Sequence, residues 1–256
     1  MCCFSGPVAS VSATKIFGRV EGHRQFLAYQ MTFSAATELA MVLPIPVVPG
    51  TAEDAVSFLN LEHYHDFFND LERLFPVPRS RSAAPVPAAA PLTVHDVGIY
   101  SASFVPSIAD FDRLDPRFRL ADHIWESLPS YAQHGFAVFK LKPGQPQRVH
   151  PLALSFPTAT PDTIFFPTLH IHDAQVHRHA HFDHILYAQS APPVQPARRL
   201  AGMPSTLGGT PRGWLVSPAT AGTSIDIERA QGIVSSDRPL LKKVLIGQLP
   251  NQDHAL

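Results

Sequence analysis

Cysteine is scarce in this 256-residue sequence, and its two copies, Cys2 and Cys3, are adjacent. Neighbouring residues rarely satisfy the geometry of a disulfide bridge, so the chain has no disulfide framework of the kind that stabilises small secreted proteins. We therefore expect the cysteines to act, if at all, as thiols in a reducing compartment. The sequence predicts a cytoplasmic protein.

Charged residues and long apolar runs are also few. Asp, Glu, Lys and Arg make up 16% of the sequence, and 20 basic residues nearly balance 21 acidic ones. This balance creates no field that would attract nucleic acid or anionic lipid. The longest apolar runs, such as residues 39–48, contain proline and are far shorter than the roughly 20 residues that span a bilayer. No signal peptide is recognisable, and we expect neither a nucleic-acid partner nor a membrane partner.

Proline is abundant, with 26 copies, which argues against long helices. The pattern predicts an α+β fold: a mostly antiparallel β-sheet with a few short helices and long loops rich in proline and glycine. It predicts one domain, residues 1–256, with a candidate internal boundary at 79–91. The predicted strands are 11–20, 24–32, 39–47, 93–104, 135–141, 152–156, 163–172 and 240–249. Helical spacing covers 53–75 and 224–233.

Histidine is concentrated in one place: six of fourteen lie between His170 and His184. If residues 168–172 and 176–187 form a hairpin, the two-residue period of a strand places His170 and His172 on one face. Opposed side chains in a hairpin lie about 4.5–5.5 Å apart, so imidazoles from both strands could reach one ion. This pattern predicts a metal site. Its ligands are expected to be His170, His172 and His177, with Asp183 and His184 as further candidates.

Another interpretation of the same histidines stays open. Side chains on an exposed strand face can be solvated and without a role. In the metal interpretation, soft sulfur with imidazole suits copper, and zinc is the alternative ion.

The amino terminus offers a second candidate site. Loss of Met1 would leave an amine and a thiol on Cys2, which could act as nucleophile and base together. Alternatively, the thiolates of Cys2 and Cys3 could join the histidines on a metal ion, either as ligands or as redox partners. A buried, inert cysteine pair is the third interpretation.

Four segments carry a resemblance to a known group: Met-Cys-Cys-Phe-Ser-Gly-Pro at 1–7, Met-Val-Leu-Pro-Ile-Pro at 41–46, the strand 135–141, and Phe-Asp-His at 182–184. Together they resemble an uncharacterised bacterial family with a histidine-rich hairpin. That family is distantly similar to secreted bacterial proteins of unknown function. The resemblance spans most of residues 1–187 and implies no established reaction.

A shorter segment, residues 2–19, is similar to the start of cysteine-type amino-terminal-nucleophile hydrolases. In that family a terminal cysteine opens a strand and an arginine follows. An aspartate typically comes shortly after the arginine, whereas Val20 and Glu21 stand here.

These observations lead to one principal functional hypothesis and two alternatives. The principal one is a transition-metal-binding protein, a copper-dependent oxidoreductase with a Cys/His site. The alternatives are an amidohydrolase with Cys2 as nucleophile and a non-catalytic metal buffer or chaperone. The sequence contains no phosphate-binding loop, no nucleophile elbow and no zinc-protease motif, and it leaves the substrate, a small molecule or a peptide, and the oligomeric state open.

Overall fold

The computed structural model describes residues 3–75, 101–148, 150–190 and 211–256. Within these ranges the chain is largely β-structure. The strands are β1 (Cys3–Phe4), β2 (Ser10–Glu21), β3 (Arg24–Ala35), β4 (Leu39–Ile45), β5 (Ser57–Asn60), β6 (Ser101–Val105), β7 (Gly135–Leu141), β8 (Gly144–Arg148), β9 (Leu152–Pro157), β10 (Phe165–Phe166), β11 (His179–Gln189), β12 (Leu215–Thr220), β13 (Pro239–Pro250) and β14 (His254–Ala255).

Helical structure in the described ranges is short. The α-helices are α1 (Phe67–Arg73) and α2 (Asp122–Glu126), and the 3-10 segments are Glu53–Ala55, Ile108–Arg113, Pro116–Phe118, Pro129–Tyr131 and Ala221–Thr223. A largely β fold with few short helices is consistent with the predicted α+β class. The helix predicted over 53–75 forms only at α1, because Ser57–Asn60 pairs with β9 instead.

The larger sheet has the strand order β12-β13-β11-β2-β3-β9-β5, with β8 also paired to β3. Its centre is the hairpin of β2 and β3, whose ladder runs to the pair Glu21 and Arg24. Gly22 follows with a φ of 57°, a left-handed conformation that a tight turn requires and glycine adopts without strain. This hairpin confirms the prediction for residues 11–32.

The smaller sheet has the order β1-β4-β7-β6, and all its pairs are antiparallel. It packs on one face of the larger sheet, and the core between them includes Met31, Leu43, Phe139 and Leu154. Two further clusters cover the outer faces. Phe67 and Phe68 of α1 pack with Tyr187 on the larger sheet, and Trp125 of α2 packs with Phe136 on the smaller one.

The predicted histidine hairpin is wrong. β11 pairs antiparallel with β13 and parallel with β2, so its partners come from both ends of the chain. Residues 168–172 form no strand, and Ile171 makes a single parallel bridge to Cys3. Residues 224–233, predicted as a helix, form a series of turns. The candidate boundary at 79–91 lies outside the described residues, and the division into domains stays a prediction.

Truncation of Phe182 tests which side chains of β11 point into the core. Phe182 is fully buried, whereas its neighbour His181 is exposed. Because Phe182→Ala opens a cavity in the core, urea denaturation should show a loss of about 3 kcal/mol or more. His181→Ala should change the free energy of unfolding by less than about 0.5 kcal/mol. Similar losses in both variants would contradict this assignment of faces.

Candidate functional site

Successive side chains of β11 point to opposite faces of the sheet, so the predicted metal ligands on this strand lie on two different faces. Phe182 and His184 are buried and contact the core, whereas His179 and His181 are exposed. Asp183 lies on the same face as His181, opposite Ile246 of β13. Its carboxylate accepts a hydrogen bond from the Ala13 amide at 2.6 Å, at the bulge of β2. Asp183 therefore stabilises an irregular strand and lies on the opposite face from His184.

Three of the predicted ligands form a stack. The ring of His170 lies between those of His172 and His184, with centroid separations of 5.3 and 5.0 Å and interplanar angles of 20° and 24°. The ring of Phe182 lies 4.3 Å from that of His170, and the ring of Phe4 lies 5.6 Å from that of His172. The histidines are thus packed among aromatic side chains.

The surroundings keep this stack uncharged. Burial lowers the pKa of His172 to about 4. Burial also lowers the pKa values of His170 and His184 well below the ordinary histidine value, and neighbouring imidazoles reinforce the shift. The ring of His254 lies 6.3 Å from that of Phe182, and burial together with Lys243 lowers the pKa of His254 to about 4. At neutral pH all four rings are neutral; His170 and His184 are buried, and His172 and His254 are half-buried.

A stacked arrangement is unsuited to metal binding. Imidazole binds a metal through a lone pair in the plane of its ring, with Zn–N about 2.0–2.1 Å. Stacked rings about 5 Å apart present their faces to one another, so their nitrogens do not converge on one point. Among the described residues, no three His, Cys, Asp or Glu side chains are placed to hold a metal ion. The predictions of a copper oxidoreductase and of a metal buffer are therefore wrong.

His177 lies away from the stack. Its Nε2 is 2.8 Å from the Asp173 carboxylate, in an exposed pair, and this hydrogen bond lowers the pKa of Asp173. His177 was predicted as a ligand beside His170 and His172, but it is held on the surface by a neighbouring carboxylate. Its position follows from the loop that replaces the predicted hairpin.

The structure does bring Cys3 next to the histidine segment. Cys3 forms the parallel bridge with Ile171, and the Phe4 amide donates to the Ile171 carbonyl at 3.1 Å. Cys3 and Ile171 share one hydrophobic cluster, whereas Phe4 packs on the side of His172. The thiol and the imidazoles therefore lie on opposite sides of the paired segments. Cys2 lies outside the described residues, and binding of copper or zinc that involves it stays a prediction.

A clasp of polar side chains from the carboxyl-terminal region holds residues 168–170. Asn251 accepts from the His170 amide at 2.7 Å and donates to the His170 carbonyl at 2.9 Å. Asp253 accepts from the amides of Thr168 and Leu169 and from the Tyr131 hydroxyl. Burial raises the pKa of Asp253 despite these donors. This clasp fixes the histidine stack in place.

The outer face of β13 presents the largest exposed apolar side chains. Ile246 is 71% exposed and Val244 is 45% exposed, and both belong to the same face as Leu215 of β12, which is 61% exposed. We call these three residues the apolar ridge. β12 pairs with β13 only up to Lys242. Beyond it, the edge of β13 from Lys243 to Pro250 has no strand partner among the described residues, while its other side pairs with β11.

The apolar ridge was not predicted from the sequence. Residues 244–250 contain no charged side chain. A strand was predicted at 240–249, but side chains on both of its faces are apolar near Val244 and Ile246. The pattern therefore shows a strand without showing which face is exposed.

Comparisons with known proteins found matches among solved structures. No family model matches the chain, and no curated protein matches it. Solved structures of baculovirus P35 are similar. One has a TM-score of 0.49 and 12% identity, over 100% of this chain and 99% of that chain. The crystal structure of the caspase-8/P35 complex gives a TM-score of 0.46 and 12% identity, over 96% and 95% of the two chains.

A mutated baculovirus P35 after caspase cleavage gives a TM-score of 0.45 at 13% identity, over 96% of this chain and 99% of that chain. With identities and TM-scores this low, the likeness assigns no function to this chain. The resemblance to a bacterial family stays a prediction. No helix in the described ranges is long and apolar enough to cross a membrane.

We predict that stability falls on acidification because the buried rings resist protonation. Above pH 6.5 His172 is neutral in both states. Between pH 6.5 and its folded pKa of about 4, the unfolded chain takes up a proton that the folded chain does not, so the free energy of unfolding falls. From pH 7 to 5.5 this one ring should account for about 1 kcal/mol.

Urea denaturation at pH 7 and pH 5.5 would measure this effect. His172→Leu should lose about 1 kcal/mol less than the unaltered chain over that interval, whatever its stability at pH 7. Equal losses in the two proteins would show that His172 is as easily protonated in the folded state as in the unfolded one.

Proposed function

We propose that this chain is a protein-binding protein, and that the open edge of β13 pairs with an extended segment of another protein. The observation that carries this proposal is the combination of a strand edge that has no strand partner among the described residues with the apolar ridge beside it. The exposed fraction of Ile246, 71%, is the highest among the large apolar side chains of the described residues.

The backbone of the edge can form hydrogen bonds with an added strand. In an antiparallel sheet, amides and carbonyls point alternately to the two neighbouring strands. From Lys243 to Pro250 one set is bonded to β11. The other set points away from β11 and can pair with an added strand, a recognition mode in which backbone hydrogen bonds contribute affinity.

The side chains of the edge also favour pairing with an added strand. Edge strands are usually protected from such pairing by charged residues, especially lysine, or by proline within the strand. Within the open edge, lysine stands only at the start, Lys243, and proline only at the end, Pro250, so residues 244–249 carry neither. Val244 and Ile246 instead present apolar surface that an added strand would cover, which would stabilise the complex. The edge thus has the features of a binding surface.

The charges around the edge define the chemistry of the partner segment. Because residues 244–249 are uncharged, a segment that alternates β-branched and small polar residues fits them best. Lys243 lies at the start of the open edge, with its ammonium group 6.0 Å from the centre of the Trp214 ring. An acidic residue at one end of the partner segment would complement it.

We propose the cytoplasm as the compartment, because Cys3 is a buried thiol and a reducing environment preserves thiols. Nucleic acid and lipid are not proposed as partners, since 20 basic residues face 21 acidic ones.

A labelled peptide tests the proposal. The probe is fluorescein-Thr-Val-Thr-Val-Thr-Asp-amide, and its binding is followed by fluorescence anisotropy. We expect saturable binding. Ile246→Lys should weaken it at least tenfold, because it replaces apolar contact with a charge, and a tenfold change corresponds to about 1.4 kcal/mol. Val48→Lys is the matched control: Val48 is 49% exposed but follows β4, away from the edge, and its replacement should leave affinity unchanged.

Three results would contradict the proposal. The first is failure of the peptide to bind, and the second is equal weakening of binding by Ile246→Lys and Val48→Lys. The third is self-association, measured by sedimentation, that Ile246→Lys abolishes while the peptide does not bind, since the occupant of the edge would then be a second copy of the chain. Replacing the central threonine of the peptide by proline removes a backbone donor and should weaken binding to the unaltered chain.

A further inference from the structure

A cavity of about 150 Å³ lies where the two sheets meet at their edges. β5 is the last strand of the larger sheet, and β6 is the last strand of the smaller one. The space between them is the end of the interlayer core. The residues that line it are Phe58, Leu59, Asn60, Ala102, Phe139, His150, Pro151, Leu152 and Ala153. This cavity is separate from the apolar ridge, which lies on β12 and β13 at the other end of the larger sheet.

We propose that this cavity binds a small, neutral aromatic molecule that carries a hydroxyl group, a phenol. The volume sets the size of the ligand. A protein cavity of about 150 Å³ with apolar walls accommodates one benzene ring. A single six-membered ring therefore fits.

The walls favour an aromatic ligand over an aliphatic one. Phe58 and Phe139 contact each other edge to face, with their ring centroids 5.6 Å apart and an interplanar angle of 89°. A third ring beside them can adopt the offset or edge-to-face arrangements that aromatic pairs prefer. Ala102 lies opposite Phe139 in the β6–β7 pair, so a small side chain leaves room at this point of the wall.

The polar groups favour a hydroxyl. Asn60 and His150 are the polar residues of the lining. The Oδ1 of Asn60 accepts a hydrogen bond from the Glu62 amide at 2.8 Å, so the side-chain nitrogen of Asn60 is the atom that can donate to a ligand. A hydroxyl oxygen can accept from it.

The absence of charge in the lining defines what the cavity rejects. None of the nine lining residues is Asp, Glu, Lys or Arg. A benzoate or a benzylammonium ion would lose its hydration with no opposite charge to compensate it. Phenol should therefore bind better than either ion of similar shape.

Saturation-transfer NMR with phenol tests this proposal on the full chain. We expect phenol to bind with a dissociation constant of about 1 mM or lower, a range suited to so small a ligand. Benzoate and cyclohexanol should bind at least tenfold more weakly. N-acetyltyrosinamide distinguishes the source of the ring. If it does not compete with phenol for the cavity, the ligand is a free phenol. If it does compete, a tyrosine side chain can also supply the ring.

A pair of variants locates the binding. Ala102→Phe fills the cavity and should weaken phenol binding at least tenfold. Ser103→Phe adds the same side chain at the next position of β6, where the residue is exposed, and should leave binding unchanged. Circular dichroism checks that both variants are folded.

The proposal is overturned if phenol does not bind to the unaltered chain, if benzoate binds as well as phenol, or if a folded Ala102→Phe variant retains full binding. Should Ala102→Phe fail to fold, the comparison of phenol with benzoate and cyclohexanol on the unaltered chain decides alone. These readouts do not involve the β13 edge, so the protein-binding proposal can fail while this one holds.

Discussion

The pairing of β11 with β2 on one side and β13 on the other determines the direction of each side chain between residues 179 and 189. Because successive strand residues face opposite sides, this ladder places His184 in the core and His181 in solvent. The same ladder turns Ile246 outward, and in the described part of the chain the far edge of β13 has no strand partner beyond Lys242. One set of backbone hydrogen bonds thus divides the histidines and also creates the proposed binding surface.

The histidine cluster shows how chemical identity and environment can point to different roles. Six imidazoles in fifteen residues suggest metal ligands. Three of them instead form the histidine stack, which packs against Phe4 and Phe182. In that setting a neutral imidazole serves as a flat, moderately polar core side chain. Acidification lowers the stability of the folded chain, because a proton would have to enter a buried site. The clasp of Asn251 and Asp253 holds the histidine stack in place.

Much of the fold was predictable from local patterns, whereas the site was not. The strands at 11–20, 24–32, 135–141 and 240–249 form because β-branched and aromatic runs lie between turn residues. The pairing of β11 with β13 joins residues some sixty positions apart, and no local pattern records it. The predicted histidine hairpin paired 168–172 with 176–187 because these segments are neighbours in the sequence. Asp253, which accepts from the amides of Thr168 and Leu169, carries no signal in the sequence that would reveal its buried role.

β13 is bonded to β11 along one side, and from Lys243 onward its other side has no strand partner in the described part of the chain. Amide hydrogen exchange resolved by residue measures this arrangement. We expect alternation along residues 243–249, with amides that point to β11 protected and those on the outer side exchanging much faster. Uniform protection along this stretch would show that the edge is already covered in the free chain, so that no binding surface exists there.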